Sequence, residues 1–489
     1  MQHVCGVFDF IDNEIINEFR DIDWERWVRT QSNAPYNIPR YNTREEAYLA
    51  YQTIPQRNTT SVIDNNTFMK NVILRFIKTE VQVDELKLER TFEYIWNILR
   101  CGIIVCVKNK RVICFCPFFN PNYENVWSNY VDIPTNINSK LNKKNWWCNG
   151  GIICEEYYPW GTHFCMQIKD MISEAVERCN IKDSVFCINK RDYPQYKFNN
   201  SLQLLVEPYG FLYDANDLNE LEDIPLSMKL NQNDLLPMFS FYGGSRFLDI
   251  LIPPTEDYES ITKRVYLPNY LFIPQLTRNG IRDLTTVVNS TTELLINKKG
   301  IALFRGSATG SGCTPITNQR LRLFSLGQIW NNPKIDVKCT SLNNKRLRKH
   351  YSETFGYIET KEMNFPVSET FYIPMNEQFQ YRYLIYVEGH CAACRLGMML
   401  SSGSVILRVE SKCIAPELWF TNLLEENVHY ISIREDLTDL EEKINFLEEN
   451  LEYAQKIANN ARIFYDTYLT HENLINYVGS VINISIENE

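Results

Sequence analysis

Short apolar runs broken by polar turns dominate this chain, and the period of each run predicts its element. The apolar run 101–107, the polar turn Lys108-Asn109-Lys110 and the apolar run 112–116 read as a hairpin. The charged stretch 83–99 before it has helical spacing, and so does 166–179 after it. Residues 183–189 read as a buried strand that runs into Lys190-Arg191-Asp192-Tyr193-Pro194-Gln195. A strand feeding a polar loop is where α/β proteins carry catalytic groups. Residues 238–241 read as a further strand, leading to Gly243 and Gly244.

Beyond a mixed-charge stretch at 255–300 the same logic repeats. Residues 301–304 predict a strand opening into a loop of Gly, Ser and Thr. Residues 383–387 predict a strand followed by Gly389 and a helix from about 392 to 400, and 404–409 another strand. Near the end, Thr438-Asp439-Leu440-Glu441 has the Ser/Thr-x-x-Glu form of a capping box. Leu440, Ile444, Leu447, Leu451, Ala454, Ile457, Ala458, Ala461 and Phe464 then recur at helical spacing, and Asn450 is where that pattern can divide in two. Strands alternating with helices predict an α/β fold, with a boundary between two large units near 280.

Composition narrows the class. The 489 residues are 44% hydrophobic and 22% charged, enough for more than one packed core and little disorder. A formal net charge of −10 repels polyanions, which argues against nucleic acid as a general partner; the basic patch Lys345-Arg-Leu-Arg-Lys-His350 reads as a solvated face. No segment approaches the roughly 18 uncharged apolar residues of a membrane span. The first residues lack the basic start and apolar run of a secretory signal, so a cytoplasmic chain is expected, with its 15 cysteines as reduced thiols.

Three segments carry candidate chemistry. Phe304-Arg305-Gly306-Ser307-Ala-Thr-Gly-Ser-Gly312 suits a diphosphate cradle of backbone N–H groups, although a flexible turn would read the same. It lacks the Gly-Lys-Ser/Thr end of a P-loop. In Glu388-Gly389-His390-Cys391-Ala392-Ala393-Cys394-Arg395, small residues let a helix N-terminus approach a ligand, with Arg395 about one turn in. Cys391 and Cys394 lack two further zinc ligands and read as packing thiols. Asp192 precedes a rigid Tyr-Pro pair, which suits either a turn residue or a directed carboxylate. Asp21-Ile-Asp23 has the form of a metal-binding Asp-x-Asp but no strand before it, so no metal is expected.

In this order the three segments resemble glycosyltransferase family 90, the family of protein O-glucosyltransferases and capsule-associated xylosyltransferases. Tyr383-Leu-Ile-Tyr-Val-Glu-Gly389, Arg395, Ser404-Val-Ile-Leu407, Trp419-Phe420, His429-Tyr430-Ile431 and Asp436-Leu-Thr-Asp-Leu440 extend the resemblance from about 101 to 469. It implies a GT-B architecture, in which two Rossmann-like domains face each other across a cleft. The corresponding division is an N-terminal extension at 1–60, an acceptor and catalytic-base domain at 61–280, a nucleotide-sugar domain at 281–437 and C-terminal helices at 438–489 crossing back. It also implies inversion at the sugar carbon, no cofactor beyond a UDP-sugar donor, and a hydroxyl of a protein or glycan as acceptor. Carried over by position, Asp192 resembles the family's catalytic base. Ser307 and Arg320 resemble donor contacts and 390–395 the main donor loop; Gly389 adjoins it, while Arg305, Gly306 and Glu417 are further candidates. The chain departs from better-known members in lacking a signal peptide and a retention tetrapeptide, and in placing Cys391 and Cys394 in the donor loop; in this it is more like members from large DNA viruses and microbes. Two rivals remain: a non-catalytic carbohydrate-binding or structural protein, and a phosphotransferase, which would need a lysine beside the loop and paired metal carboxylates.

Overall fold

The computed structural model describes residues 74–96, 101–119, 159–189, 194–196, 205–206, 234–245, 247–262, 264–267, 271–274, 294–342, 349–350, 358 and 363–487. The segment 1–60, with Asp21 and Asp23, lies outside them, and so does Asp192.

The first part begins with helices α1 (Arg75–Glu80) and α2 (Glu85–Tyr94), then strands β1 (Cys101–Lys108) and β2 (Arg111–Phe119). Helix α3 (Pro159–Arg178) and strand β3 (Ser184–Ile188) follow. Next come β4 (Leu205–Val206), β5 (Met238–Ser240), β6 (Ile250–Leu251), helix α4 (Thr255–Thr262), β7 (Arg264–Leu267) and β8 (Leu271–Pro274). The second part has β9 (Lys299–Ala308), α5 (Gln319–Ile329), β10 (Ile335–Leu342), β11 (Lys349–His350), α6 (Met375–Gln378) and β12 (Tyr381–Tyr386). It ends with α7 (Leu396–Leu400), β13 (Val405–Val409), β14 (Ile431–Ile433), α8 (Leu440–Glu449), α9 (Leu451–Tyr468) and α10 (His471–Glu487).

One five-stranded sheet runs β2-β1-β3-β5-β6. Its hairpin β1–β2 is antiparallel, as the short turn requires, and Asn109 and Lys110 take positive φ there. β1 also pairs antiparallel with β3, so only β3, β5 and β6 run parallel. The other sheet, β10-β9-β12-β13-β14, is parallel throughout. The expected α/β character is therefore present in both, with an antiparallel edge on the first.

Helix α3 covers the first sheet because Ile168, Met171, Ile172, Ala175 and Val176 recur on one face and bury against Ile103, Val105 and Val107. Leu474, Ile475, Val478 and Ile482 of α10 enter the same cluster, so the last helix returns to the first sheet. Helix α9 packs Ala454, Ile457 and Ala458 into the core of the second. Asn450, at φ −125 and ψ 55, separates α8 from α9. The capping box does not form. Helix α8 starts one residue later, with Asp439 as its N-cap, and the Thr438 hydroxyl donates to Asp436 at 2.7 Å.

The two sheets meet through loops at the carboxyl ends of their parallel strands. After β5, Gly243 exchanges backbone hydrogen bonds with Glu417, which follows β13, at 3.0 and 2.9 Å. Beside it, a Cβ on Gly244 would stand 2.6 Å from the carbonyl oxygen of Ile414. Gly244→Ala should therefore lower stability by about 1–3 kcal/mol through overpacking. A thermal midpoint unchanged from the parent chain would contradict this close approach. Trp419 adds a second tie, donating from Nε1 to the buried carboxylate of Asp257 on α4 at 2.9 Å. Burial pushes the Asp257 carboxyl up to about 7. Among the described residues no helix is long and apolar enough to cross a membrane.

Candidate functional site

Counted from β9, the second sheet has strand order 2-1-3-4-5, and its order reverses between β9 and β12. In open parallel sheets that switch point leaves a crevice at the carboxyl ends, where ligands bind. The two donor segments of the sequence reading leave the sheet from these two strands.

After β9 the chain enters a loop, 309–317, that needs its glycines. Gly310 and Gly312 have φ of +133 and +88, and a Cβ on either would stand within 3 Å of Asn318 or Thr317. Asn318 organises the whole turn. Its Oδ1 caps α5 by accepting from Arg320 N and Leu321 N, and its Nδ2 donates to the carbonyls of Gly312 and Thr309.

Phe304, Arg305, Gly306 and Ser307 themselves lie in β9 rather than in the loop. Their backbone stands in parallel register with β10, and Ser307 O accepts from Thr309 N and from Arg320. The Ser307 side chain is half-buried and accepts from Ser341 Oγ at 2.7 Å. Arg305 is buried and ion-paired with Asp336 at 2.5 Å, which takes its guanidinium out of the donor site. Gly306 leaves room for its neighbours: a Cβ there would meet the Phe304 ring at 3.0 Å.

Arg320 is the largest departure from expectation. Its buried guanidinium donates to the carbonyls of Val387, Glu388 and Ser307 and to Thr309 Oγ1, at 2.6–3.3 Å. That ties the β9 loop to the β12 loop and leaves little of the fork for a ligand. Arg320 therefore frames the crevice rather than reaching into it.

The β12 loop is also more internally bonded than its composition suggests. Gly389 N donates to Cys391 O, Ala392 N to Ala415 O and Ala393 N to Tyr386 Oη, at 2.8–3.0 Å. Cys413 Sγ donates to His390 O at 3.4 Å. Helix α7 begins only at Leu396 and has 5 residues, so it presents no N-terminus at 390–393. Cys391 is buried and Cys394 half-buried, and neither is in a disulfide. Gly389 lets the loops close: a Cβ there would stand 3.0 Å from Thr309 Oγ1 and 3.3 Å from Arg320 Nη2.

Arg395 is the N-cap of α7 and not one turn inside it. Among the described residues its guanidinium makes one hydrogen bond, Nη1 to Arg305 O at 2.7 Å, which leaves four of its five N–H donors. It stands 5.6 Å from the centre of the Phe304 ring, as Arg320 also does. Burial, and then the charge of Arg395, lowers the Arg320 pKa to about 10, and burial lowers that of Arg395. The acid in the same loop, Glu388, does not neutralise them. Burial pushes the Glu388 carboxyl up to about 8 against the pull of Arg408 and Arg320, so at pH 7 it is mostly the neutral acid, accepting from Ser411 Oγ. A buried and a half-buried cation whose hydrogen bonds among the described residues go to neutral acceptors form a site that favours an anion.

Across the contact between the sheets, Glu417 is half-buried, and its backbone makes the bridge to Gly243 while its carboxylate makes no hydrogen bond among the described residues. Asp192 falls between two described segments, both tied to the β5–β6 region. Asn189 N donates to Phe239 O at 2.7 Å, and Asp249 accepts from Gln195 N and Tyr196 N. Neither Asn318 nor Asp249 was singled out from the sequence, although an Asn before a helix and an acid inside an apolar run are both signals.

Residues 177–484 match the family described as Glycosyl transferase family 90. A protein of Invertebrate iridescent virus 3 called "Uncharacterized protein 035R" is 27% identical over 82% of this chain and 36% of its own length. Protein O-glucosyltransferase 2 of Danio rerio is 28% identical over 54% of this chain and 46% of its own. The O-glucosyltransferase LpsA of Dichelobacter nodosus is 28% identical over 42% of this chain and 58% of its own. The chain spans about a third of the viral relative and less than two thirds of the other two.

Proposed function

The chain belongs to glycosyl transferase family 90, and from that premise we propose that it moves a sugar from a UDP-sugar to a hydroxyl of a protein or glycan acceptor. The observation that carries this reading is Arg395: a half-buried guanidinium with donors unspent among the described residues, beside the buried Arg320, at the switch point of a parallel sheet. A departing nucleoside diphosphate supplies the anion such a site favours. The O-glucosyltransferase names of two relatives favour glucose as donor sugar, with xylose as the alternative.

In the proposed GT-B arrangement the first sheet brings the base and the second the donor. The acceptor oxygen attacks the anomeric carbon from the face opposite the diphosphate, its proton passes to the Asp192 carboxylate, and the bond to the diphosphate oxygen breaks. One displacement inverts the carbon. Charge builds on the leaving oxygen, and the arginine supports it in the role a metal ion plays elsewhere.

Incubation with a panel of UDP-sugars, with and without glycan and peptide acceptors, is expected to release UDP with one donor, and EDTA is expected to leave that rate unchanged. Release abolished by EDTA and restored by a divalent ion would overturn the metal-free mechanism. No release with any donor would favour a carbohydrate-binding protein instead.

A further inference from the structure

Strands β9 and β10 run in parallel register until one residue too many enters β10. Cys339 stands opposite Gly306, but Ser341 stands opposite Ser307 and Leu342 opposite Ala308, so Thr340 is the extra residue of a β-bulge. In an unbroken register Thr340 would take the place beside Ser307. The irregularity is held from both sides. Cys339 Sγ donates to Ser341 O at 3.3 Å, and Cys339 O accepts from Ser368 N at 3.2 Å. What the bulge creates is one side-chain contact, in which Ser341 Oγ donates to Ser307 Oγ at 2.7 Å.

Ser307 is fixed at its carbonyl too, which accepts from Thr309 N at 2.8 Å and from Arg320 Nη1 at 3.2 Å. It lies at the carboxyl end of β9, one of the two strands at which the sheet order reverses. On one side of it is Arg305 O, the anchor of Arg395, and on the other the glycine turn at 309–317. A hydroxyl has one proton and two lone pairs. Because the Ser341 proton lies between the two oxygens, the Ser307 proton has to point off that line, and among the described residues it goes to no protein acceptor. Accepting one hydrogen bond also makes a hydroxyl a stronger donor of its own. Bulges beside active sites commonly serve to re-aim a side chain in this way.

We propose that Ser341 is a positioning residue for the donor: by giving its proton to Ser307 Oγ it turns the Ser307 O–H toward a phosphate oxygen of the nucleoside diphosphate. The inference rests on the UDP-sugar reading and on Ser307 as a donor contact. A hydrogen bond from a hydroxyl to an anionic oxygen is short and directional, so an O–H left free to turn loses part of it.

The test is a double-mutant cycle on the full chain, read as UDP affinity by titration calorimetry beside a melting curve. Ser307→Ala is expected to weaken UDP binding by about 10-fold or more, as loss of a hydrogen bond to a charged group does. Ser341→Ala is expected to weaken it roughly 2–10-fold, with little change in thermal midpoint. Ser307→Ala/Ser341→Ala should bind UDP no more weakly than Ser307→Ala alone, because one hydroxyl acts through the other. Ser341→Thr keeps the hydroxyl and should bring the affinity back to within about twofold of the parent chain. Parental affinity in Ser341→Ala, losses that multiply in the double variant, or no recovery in Ser341→Thr overturns the positioning role and leaves Ser307 a donor contact. Parental affinity in Ser307→Ala removes Ser307 from the donor site, and the positioning role with it, while the donor reading stands on Arg395. No UDP binding by the parent chain overturns the donor reading itself. Should Ser341→Ala fail to fold, Ser341→Cys keeps the bulk and offers only a weak donor. A loss of affinity that is absent in the Ser307→Ala background is then expected, and no loss or a multiplicative one overturns the proposal.

Discussion

Asp192→Asn is expected to lower kcat by about 10²–10⁴-fold, the usual worth of a general base, while UDP binds with parental affinity. The substitution keeps the shape of the side chain and removes its ability to accept a proton at neutral pH. The donor site in this scheme is built from a different sheet. Its framing contacts, from Arg320 to the carbonyls of Val387 and Glu388 and from Tyr386 Oη to Ala393, come from β12 and α5 and owe nothing to the chain after β3. Titration of UDP and initial-rate measurements on one preparation separate the two effects. Loss of UDP affinity in this variant would remove Asp192 from the base role and move it to the donor.

The alternation of strands and helices was legible because burial imposes it. The run 183–189 contains β3, buried at every position, and all but the last residue of 166–179 lies within α3, which turns one apolar face to that sheet. The break at Asn450 was legible for a similar reason, since the apolar pattern pauses there. Less accessible was the division of labour among polar residues, which depends on what lies across a loop. Arg320 and Arg395 look alike in sequence. Among the described residues one is used up by carbonyls contributed by segments 13 to 68 positions away, and the other meets a single carbonyl. The same holds for small residues. The stretch 390–393 suggests free N–H groups at a helix start, yet its partners at Ala415 and Tyr386 arrive from β13's loop and from β12. Asp249 and Asn318 went unread because each acts on backbone elsewhere in the chain, and a hydrogen bond to backbone leaves no residue-type pattern in the partner.

Arg395→Ala should weaken UDP binding by about 10–150-fold, the equivalent of roughly 1.5–3 kcal/mol for hydrogen bonds to a charged group, with little change in thermal midpoint. Among the described residues the folded chain loses one hydrogen bond, to Arg305 O, and a ring contact with Phe304. Arg320→Ala is the necessary contrast. There the carbonyls of Val387, Glu388 and Ser307 lose a buried donor, each at about 1–3 kcal/mol, and the β9 and β12 loops lose what joins them. That variant is expected to melt at a markedly lower temperature, and whatever UDP affinity it loses follows from the loosened loops. Because the second charge depresses the first, removing Arg395 should also raise the pKa of Arg320 and make its burial less costly, which offsets part of the lost packing. Calorimetric titration with UDP beside a melting curve reads both quantities. Equal loss of stability in the two variants would mean that Arg395 too is part of the frame, and the anion would then need another cation.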